Sequence, residues 1–260
     1  MVRIAYQVYS ARDEAAQDLE KVLKELKALG YEGVEFAGFY GKSAQEVKGL
    51  LDETGLVAVS SHVPFQQIEE DMFSVIAYHL AIGCKWIAVP YLLDAERPGN
   101  PGFARVIRVI HRFARLCREA GIELLYHNHD FEFVQISGSY ALDFLYDALP
   151  ECLLGTEIDT CWVRFSGLDP AEYVKKYAGR CPIVHMKDYV CDEPTAPCQP
   201  RPDSFAFRPV GKGVQDVEKI ARAAAASGAK WLVVEQDMPF VSPMDDARTS
   251  LETLKAIQGL

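Results

Sequence analysis

"FARVIRVIHRFARLCREAGIELLYHN", residues 103–128, holds a helix, a stop and a strand in that order. Apolar residues return at spacings of three and four through 103–120, the pattern of a helix with one buried face. Gly121 is a helix-stop signal. "IELLYHN" (122–128) then runs almost wholly apolar before turning polar at His127, as a strand of a covered parallel sheet does.

The same unit recurs along the chain. Strands are expected at 3–9, 33–38, 57–63, 86–90, 122–128, 154–159, 183–188 and 231–237. In "AAQDLEKVLKELKALG" (15–30), Leu19, Val22, Leu23, Leu26 and Leu29 mark one helix face, ended by Gly30; "VEKIARAAAASG" (217–228) repeats the pattern to Gly228. Eight β–α units in 260 residues predict an α/β protein, a single (β/α)8 TIM barrel spanning 1–260. An open doubly wound sheet is the alternative. Against it, the first strand–helix turn lacks GxGxxG, and GxxxxGK[ST] is absent. No Pro- or Ser-rich linker divides the chain. The segment 190–213, after strand seven, carries five prolines without helical periodicity and is expected as a long loop at the active-site face.

A net charge of −10, with 49% apolar and 25% charged residues, describes a globular chain without the basic face that nucleic acid requires. The seven cysteines are scattered, with no CxxC pair, so neither a disulfide scaffold nor a zinc ribbon is expected; Cys191 and Cys198 are the one pair to check. "MVRIAYQVYS" does not read as a signal peptide, and no apolar run approaches the roughly 18–20 residues that span a bilayer. A cytoplasmic location with no membrane partner is expected. Assembly into a homo-oligomer is left open.

Active sites of such barrels gather at the C-terminal strand ends. Those ends carry Glu35, His62, His127 and His129, Glu157 and Asp159, His185 and Lys187, then Glu235, Gln236 and Asp237. Four of the six histidines are among them, while His79 and His111 read as structural helical residues. Taken singly, Glu35, Glu157 and His62 are ordinary loop-bonding residues. Together, imidazoles and carboxylates on strands five to eight suit a divalent ion such as Mn²⁺, Co²⁺, Zn²⁺ or Mg²⁺.

"YQVYSARDE" (6–14), "YHNHDFEF" (126–133), "EIDTCWVRFSGLDP" (157–170), "VHMKDY" (184–189), "PVGKGVQD" (209–216) and "VVEQD" (233–237) occur in this order. As a set they resemble the sugar phosphate isomerase/epimerase family of xylose isomerase-like TIM barrels, which also contains inosose dehydratases and ketose 3-epimerases. The resemblance implies one divalent metal, manganese favoured, with Asp159, His185 and Glu235 as ligands. Many members place a glutamate on strand five; here alignment puts His127 there, with His129 two residues on and Glu132 a competing ligand. Lys212 stands where relatives often carry glutamate between two glycines.

The chemistry so implied is proton removal next to a carbonyl through a metal-stabilised enediolate. His129 is the expected base, Glu235 a second acid/base, and Lys187 a donor to a substrate oxyanion. Glu35, His62, Lys187 and Trp162 are expected to face the substrate. Tyr6, Phe36, Phe39, Phe65 and Phe240 are further aromatic residues near strand ends, read mainly as packing. A metal-dependent isomerase or epimerase of a sugar or keto-sugar is the leading expectation, with a small-molecule carbohydrate as partner. The missing strand-five glutamate weakens a ketose 3-epimerase in particular. The alternatives are a lyase or dehydratase of a keto-sugar, keto-inositol or keto-glycoside, and a non-catalytic sugar-binding protein. An abasic-site nuclease is disfavoured by the acidic charge. No phosphate cradle is legible.

Overall fold

Eight parallel strands close on themselves: β1 (Arg3–Gln7), β2 (Gly33–Ala37), β3 (Val57–His62), β4 (Trp86–Val89), β5 (Glu123–His127), β6 (Leu154–Asp159), β7 (Ile183–Met186) and β8 (Trp231–Val234). Each pairs with its neighbours in chain order, and β8 pairs with β1 to seal the barrel. This is a computed structural model, and it describes residues 2–136, 138–192 and 201–259.

Around the barrel lie α1 (Arg12–Leu29), α2 (Ala44–Thr54), α3 (Phe65–Glu70), α4 (Met72–Ile82) and α5 (Phe103–Glu119). They continue as α6 (Ala141–Ala148), α7 (Thr160–Phe165), α8 (Pro170–Lys176), α9 (Val217–Ala226) and α10 (Pro243–Lys255). Among the described residues no helix is long and apolar enough to cross a membrane.

The helix faces follow the apolar spacing. Leu19, Val22, Leu23 and Leu26 of α1 are buried against the sheet, and Leu29 is half-buried. Gly30 ends α1 at φ 104°, a left-handed conformation open to glycine, and donates its N–H to the carbonyls of Leu26 and Lys27. One expectation needs correction: α1 is not continuous. Asp18 is extended (φ −154°, ψ 88°), and its carboxylate accepts the Lys21 N–H at 2.9 Å, capping a second helical segment. An aspartate offers its own backbone that alternative to helix.

Strands one, seven and eight stop two to three residues earlier than the apolar runs predict. After β7 the chain turns into Asp188–Val190, which pairs antiparallel with Ala206–Arg208. The described part of 190–213 therefore includes a strand of a hairpin, where an irregular loop was expected. Cys198 lies outside the described residues, so the Cys191–Cys198 pair does too.

Inside the barrel, Ala5, Val59, Trp86, Ala88, Leu125, Ile183, Trp231 and Val233 form an apolar plug. Gly33 and Gly155 make room for it. A Cβ at Gly33 would lie 2.6 Å from Val59 Cγ2, and one at Gly155 2.5 Å from Leu125 Cδ2. One extra residue in β3 shifts its register against β2 between Val34 and Glu35. That bulge lets Val59 join the plug while His62, three positions on, also turns inward. The next inward positions above the plug carry the polar groups.

Candidate metal centre and cavity

Strand alternation places these side chains. Two residues above Gly33, Leu125, Gly155, Ile183 and Val233 come Glu35, His127, Glu157, His185 and Glu235, and Asp159 is two beyond Glu157. All six are buried, as are His62 and Lys187. They form two layers.

In the inner layer the Glu157 carboxylate is central. Its Oε1 lies 2.6 Å from His62 Nε2, 3.1 Å from His127 Nδ1 and 3.3 Å from His185 Nε2. Glu35 Oε1 lies 2.7 Å from His185 Nε2 and 3.1 Å from His62 Nε2, and accepts from Gln7 Nε2 at 2.6 Å. Ser60 donates to the other Glu35 oxygen. Burial pushes both glutamates up, but facing imidazoliums at His185 and His62 hold Glu35 well below the carboxylate range and Glu157 at about 2. Burial likewise opposes the His62 charge, yet Glu35 and Glu157 raise its pKa to about 10.

The outer layer uses the other nitrogen of each shared ring. His127 Nε2 is 3.7 Å from Asp159 Oδ2, and His185 Nδ1 is 3.0 Å from Glu235 Oε2. Lys187 Nζ sits 2.6 Å from Asp237, 3.1 Å from Glu235 and 3.5 Å from Asp159. One ammonium thus faces three carboxylates. Donor atoms of His127, Asp159, His185 and Glu235 all lie within 4.8 Å of one another, as do those of His62, His127, Glu157 and His185.

Spacing separates the two sets. Ligands about 2.1 Å from one ion stand about 3.0–3.4 Å apart at octahedral to tetrahedral angles. The outer separations of 3.0 and 3.7 Å lie at or just beyond that range, and the inner 3.1 and 3.3 Å lie within it, but the 2.6 Å His62–Glu157 contact of the inner set is too short for two ligands of one ion. Asp159 carries the clearest signal. Its Oδ1 accepts from Cys161 N (2.8 Å) and Trp162 N (3.3 Å), capping α7, while Oδ2 is buried with no hydrogen-bond partner. Burial, opposed by Lys187, pushes its carboxyl up to about 7.

Above this layer opens a cavity of about 660 Å³, reached by His62, His127, His129, Glu235 and Asp237. His129 is half-buried, its ring stacked on Trp162 (centroids 5.6 Å) and Phe131 (5.7 Å). Its Nδ1 has no hydrogen-bond partner, and burial, then Lys187, holds the ring well below the usual histidine pKa.

Several expected placements differ. Glu35, Trp162 and Lys187, all expected to face the substrate, are buried and do not line the cavity. Glu132 is turned away from both sets: it accepts from Tyr126 Oη at 2.7 Å and from His129 N at 2.8 Å. Because β5 ends at His127, Glu132 falls in the following turn (Phe131–Phe133). Lys212 is exposed; its turn is held by Asp188, which accepts from Gly211 N (3.0 Å) and Gly213 N (2.9 Å). Tyr6, Phe36 and Phe65 are core residues, Phe39 stacks on Tyr78, and Phe240 lies exposed under Arg208.

Sequence reading missed Arg12, Tyr91, Arg201, Phe207 and Met238, which also line the cavity. Arg201 and Phe207 lie in the flagged 190–213 segment, and Arg12 in "YQVYSARDE", so only Tyr91 and Met238 lacked a local signal. Asn128 was missed too. Its side chain accepts from Asp159 N (3.0 Å) and donates to Asp159 O (3.3 Å), clamping β5 to β6 beside the outer layer.

The chain is 26% identical to an inosose dehydratase of Geobacillus kaustophilus (strain HTA426) over 198 residues, covering 68% of this chain and 63% of that one. An inosose dehydratase of Clostridium botulinum (strain Alaska E43 / Type E3) is 24% identical over 266 residues, covering 91% and 88%. Among solved structures, a sugar phosphate isomerase/epimerase from Parabacteroides distasonis ATCC 8503 superposes with a TM-score of 0.81 at 21% identity, covering 99% of this chain and 94% of that one. An IOLI protein solved with a binding zinc atom gives 0.74 at 12% identity, covering 98% of each. The xylose isomerase-like TIM barrel family model matches residues 23–257, nearly the whole closed barrel just described, and the chain belongs to that family.

Proposed function

We propose that this protein is a divalent-metal-dependent enzyme that removes a proton next to a carbonyl of a sugar or keto-sugar. One observation carries the reading: His127, Asp159, His185 and Glu235 present donor atoms within 4.8 Å of one another, and the buried Asp159 Oδ2 accepts no hydrogen bond among the described residues, with the Lys187 ammonium (3.5 Å) and the His127 ring (3.7 Å) near it. This mixed N/O set fits Mn²⁺, Co²⁺, Zn²⁺ or Mg²⁺. The zinc in the IOLI structure supports a metal on this fold without selecting one, and manganese remains the expectation carried from the resemblance. When bound, the ion supplies a Lewis acid that polarises the substrate carbonyl.

The chain's own groups divide the remaining work. Glu157 and Glu35 hold the inner nitrogens of His127 and His185, which fixes the two rings of the outer donor set. His129, uncharged and at the cavity wall, takes the proton. Lys187, held charged by Asp237, Glu235 and Asp159 against the penalty of burial, donates to oxygen where negative charge develops. His62 reaches the cavity edge, and Glu235 serves as ligand and second proton carrier.

Returning the proton gives isomerisation or epimerisation; expelling a neighbouring hydroxyl gives elimination. Elimination is the second reading, and one observation favours it: His129 is a neutral base with no matched glutamate base on β5. The inosose dehydratase relatives agree with it.

The test is elemental analysis of protein purified without chelator, beside an Asp159→Ala/His185→Ala double variant, then keto-sugars in D₂O followed by mass spectrometry. One ion per chain, lost in the variant, is expected. Deuterium gain with the substrate's composition conserved marks isomerisation, and loss of one water marks elimination. Absence of metal from both proteins after Mn²⁺ or Co²⁺ is added back overturns the mechanism and favours a non-catalytic sugar-binding protein.

A further inference from the structure

We infer that Arg201 is a specificity-determining residue that receives an anionic substituent, carboxylate or phosphate, on the substrate. The inference rests on the sugar chemistry proposed for the same cavity and adds the substrate's charge.

Three lysine and arginine side chains stand at or beneath this cavity, and they are differently committed. Lys187 is taken by three carboxylates. Arg12 donates from Nη1 to the carbonyls of Tyr9 (3.1 Å) and Asp237 (2.7 Å), so it clips the first loop to the end of β8. Arg201 forms no ion pair or hydrogen bond among the described residues. Aromatic faces hold it instead: its guanidinium carbon is 4.4 Å from the centroid of Trp162, 5.2 Å from that of Phe205 and 5.6 Å from that of Phe207.

Arg201 is exposed, but the rings beneath it hold it in place. Packing against aromatic rings uses the apolar face of the guanidinium and leaves its in-plane N–H donors available, in the fork that matches carboxylate or phosphate. The rings also limit the freedom that binding would otherwise remove. Lys187 Nζ lies 5.2 Å from the centroids of the same Trp162 and Phe207 rings. A substrate whose reacting oxygen meets Lys187 therefore has Arg201 beside its remainder. In a chain of net charge −10, an uncommitted cation at the cavity wall draws an anionic ligand against the overall field.

The experiment is calorimetric binding of glucuronate, glucose 6-phosphate and glucose to the full chain, to Arg201→Gln and to Arg201→Lys, with metal content measured on each. At least one charged sugar is expected to bind about tenfold to a hundredfold tighter than glucose, as a charge-assisted hydrogen bond gives. Arg201→Gln brings that sugar to the level of glucose with metal content unchanged, and Arg201→Lys keeps part of the preference. Which sugar is preferred separates carboxylate from phosphate. Failure of both charged sugars to outbind glucose, or a preference that survives in Arg201→Gln, overturns the inference. Protein that takes up no metal after Mn²⁺ or Co²⁺ is added back, yet still prefers the charged sugar, would sink the metal mechanism while leaving this inference standing.

Discussion

The lower and upper halves of the barrel interior come from the same strands, and two residues of strand separate one chemistry from the other. Leu125 and Ile183 pack in the plug; His127 and His185, two positions up, stand among carboxylates. The lower half excludes water with shape, down to the glycines that admit Leu125 and Val59. The upper half buries charge that burial alone disfavours, and offsets it by pairing each carboxylate with an imidazole or an ammonium. Apolar packing is concentrated below and titratable groups above.

Leu125→Ala opens the plug and is expected to cost about 2–5 kcal/mol of stability. Denaturant unfolding measures that, and metal stoichiometry in the surviving folded protein should stay at its original value. Loss of the ion as well would break the division between the halves. A smaller effect is expected from Glu157→Gln, which keeps an oxygen near His62 and His127 but removes the charge of the inner layer. Titration against a competing chelator should show metal affinity falling about 10–100-fold. An ion equally tight in this variant would mean that the inner layer is structural alone.

Glu132→Gln sharpens the comparison from outside both halves. Burial raises the Glu132 carboxyl from 4.5 to about 8, so the folded protein keeps a proton that the unfolded chain releases. Its contribution to stability is full below about 4.5 and declines as pH rises to about 8. The variant, which cannot titrate, should gain in Tm relative to the parent across that window. A constant difference in Tm would show that Glu132 is not carrying a buried proton.

The architecture was legible because covered parallel strands and amphipathic helices impose different periods on apolar residues, and each kept its period here. All eight barrel strands fall within the runs so identified. Their ends were less legible, since Lys187, Glu235 and Asp237 follow strands without belonging to them. The choice among His127, His129 and Glu132 turned on where β5 stops, which hydrogen bonding to β6 decides. Trp162 looked available because aromatic residues near strand ends often are. The packing of His129 and Arg201 over it is a long-range fact that local sequence does not carry.

By itself the sequence determined a barrel, the face on which its titratable side chains gather, and four residues whose donor atoms come together there, because a period of two in a strand translates directly into direction. Tertiary structure alone decided that His127 and His185 each face two layers with different nitrogens, that a bulge in β3 brings His62 inward, and that Arg201 and Lys187 share the Trp162 and Phe207 rings. Those facts depend on distances between strands and loops far apart in the chain, which closure of the barrel sets and no local pattern encodes.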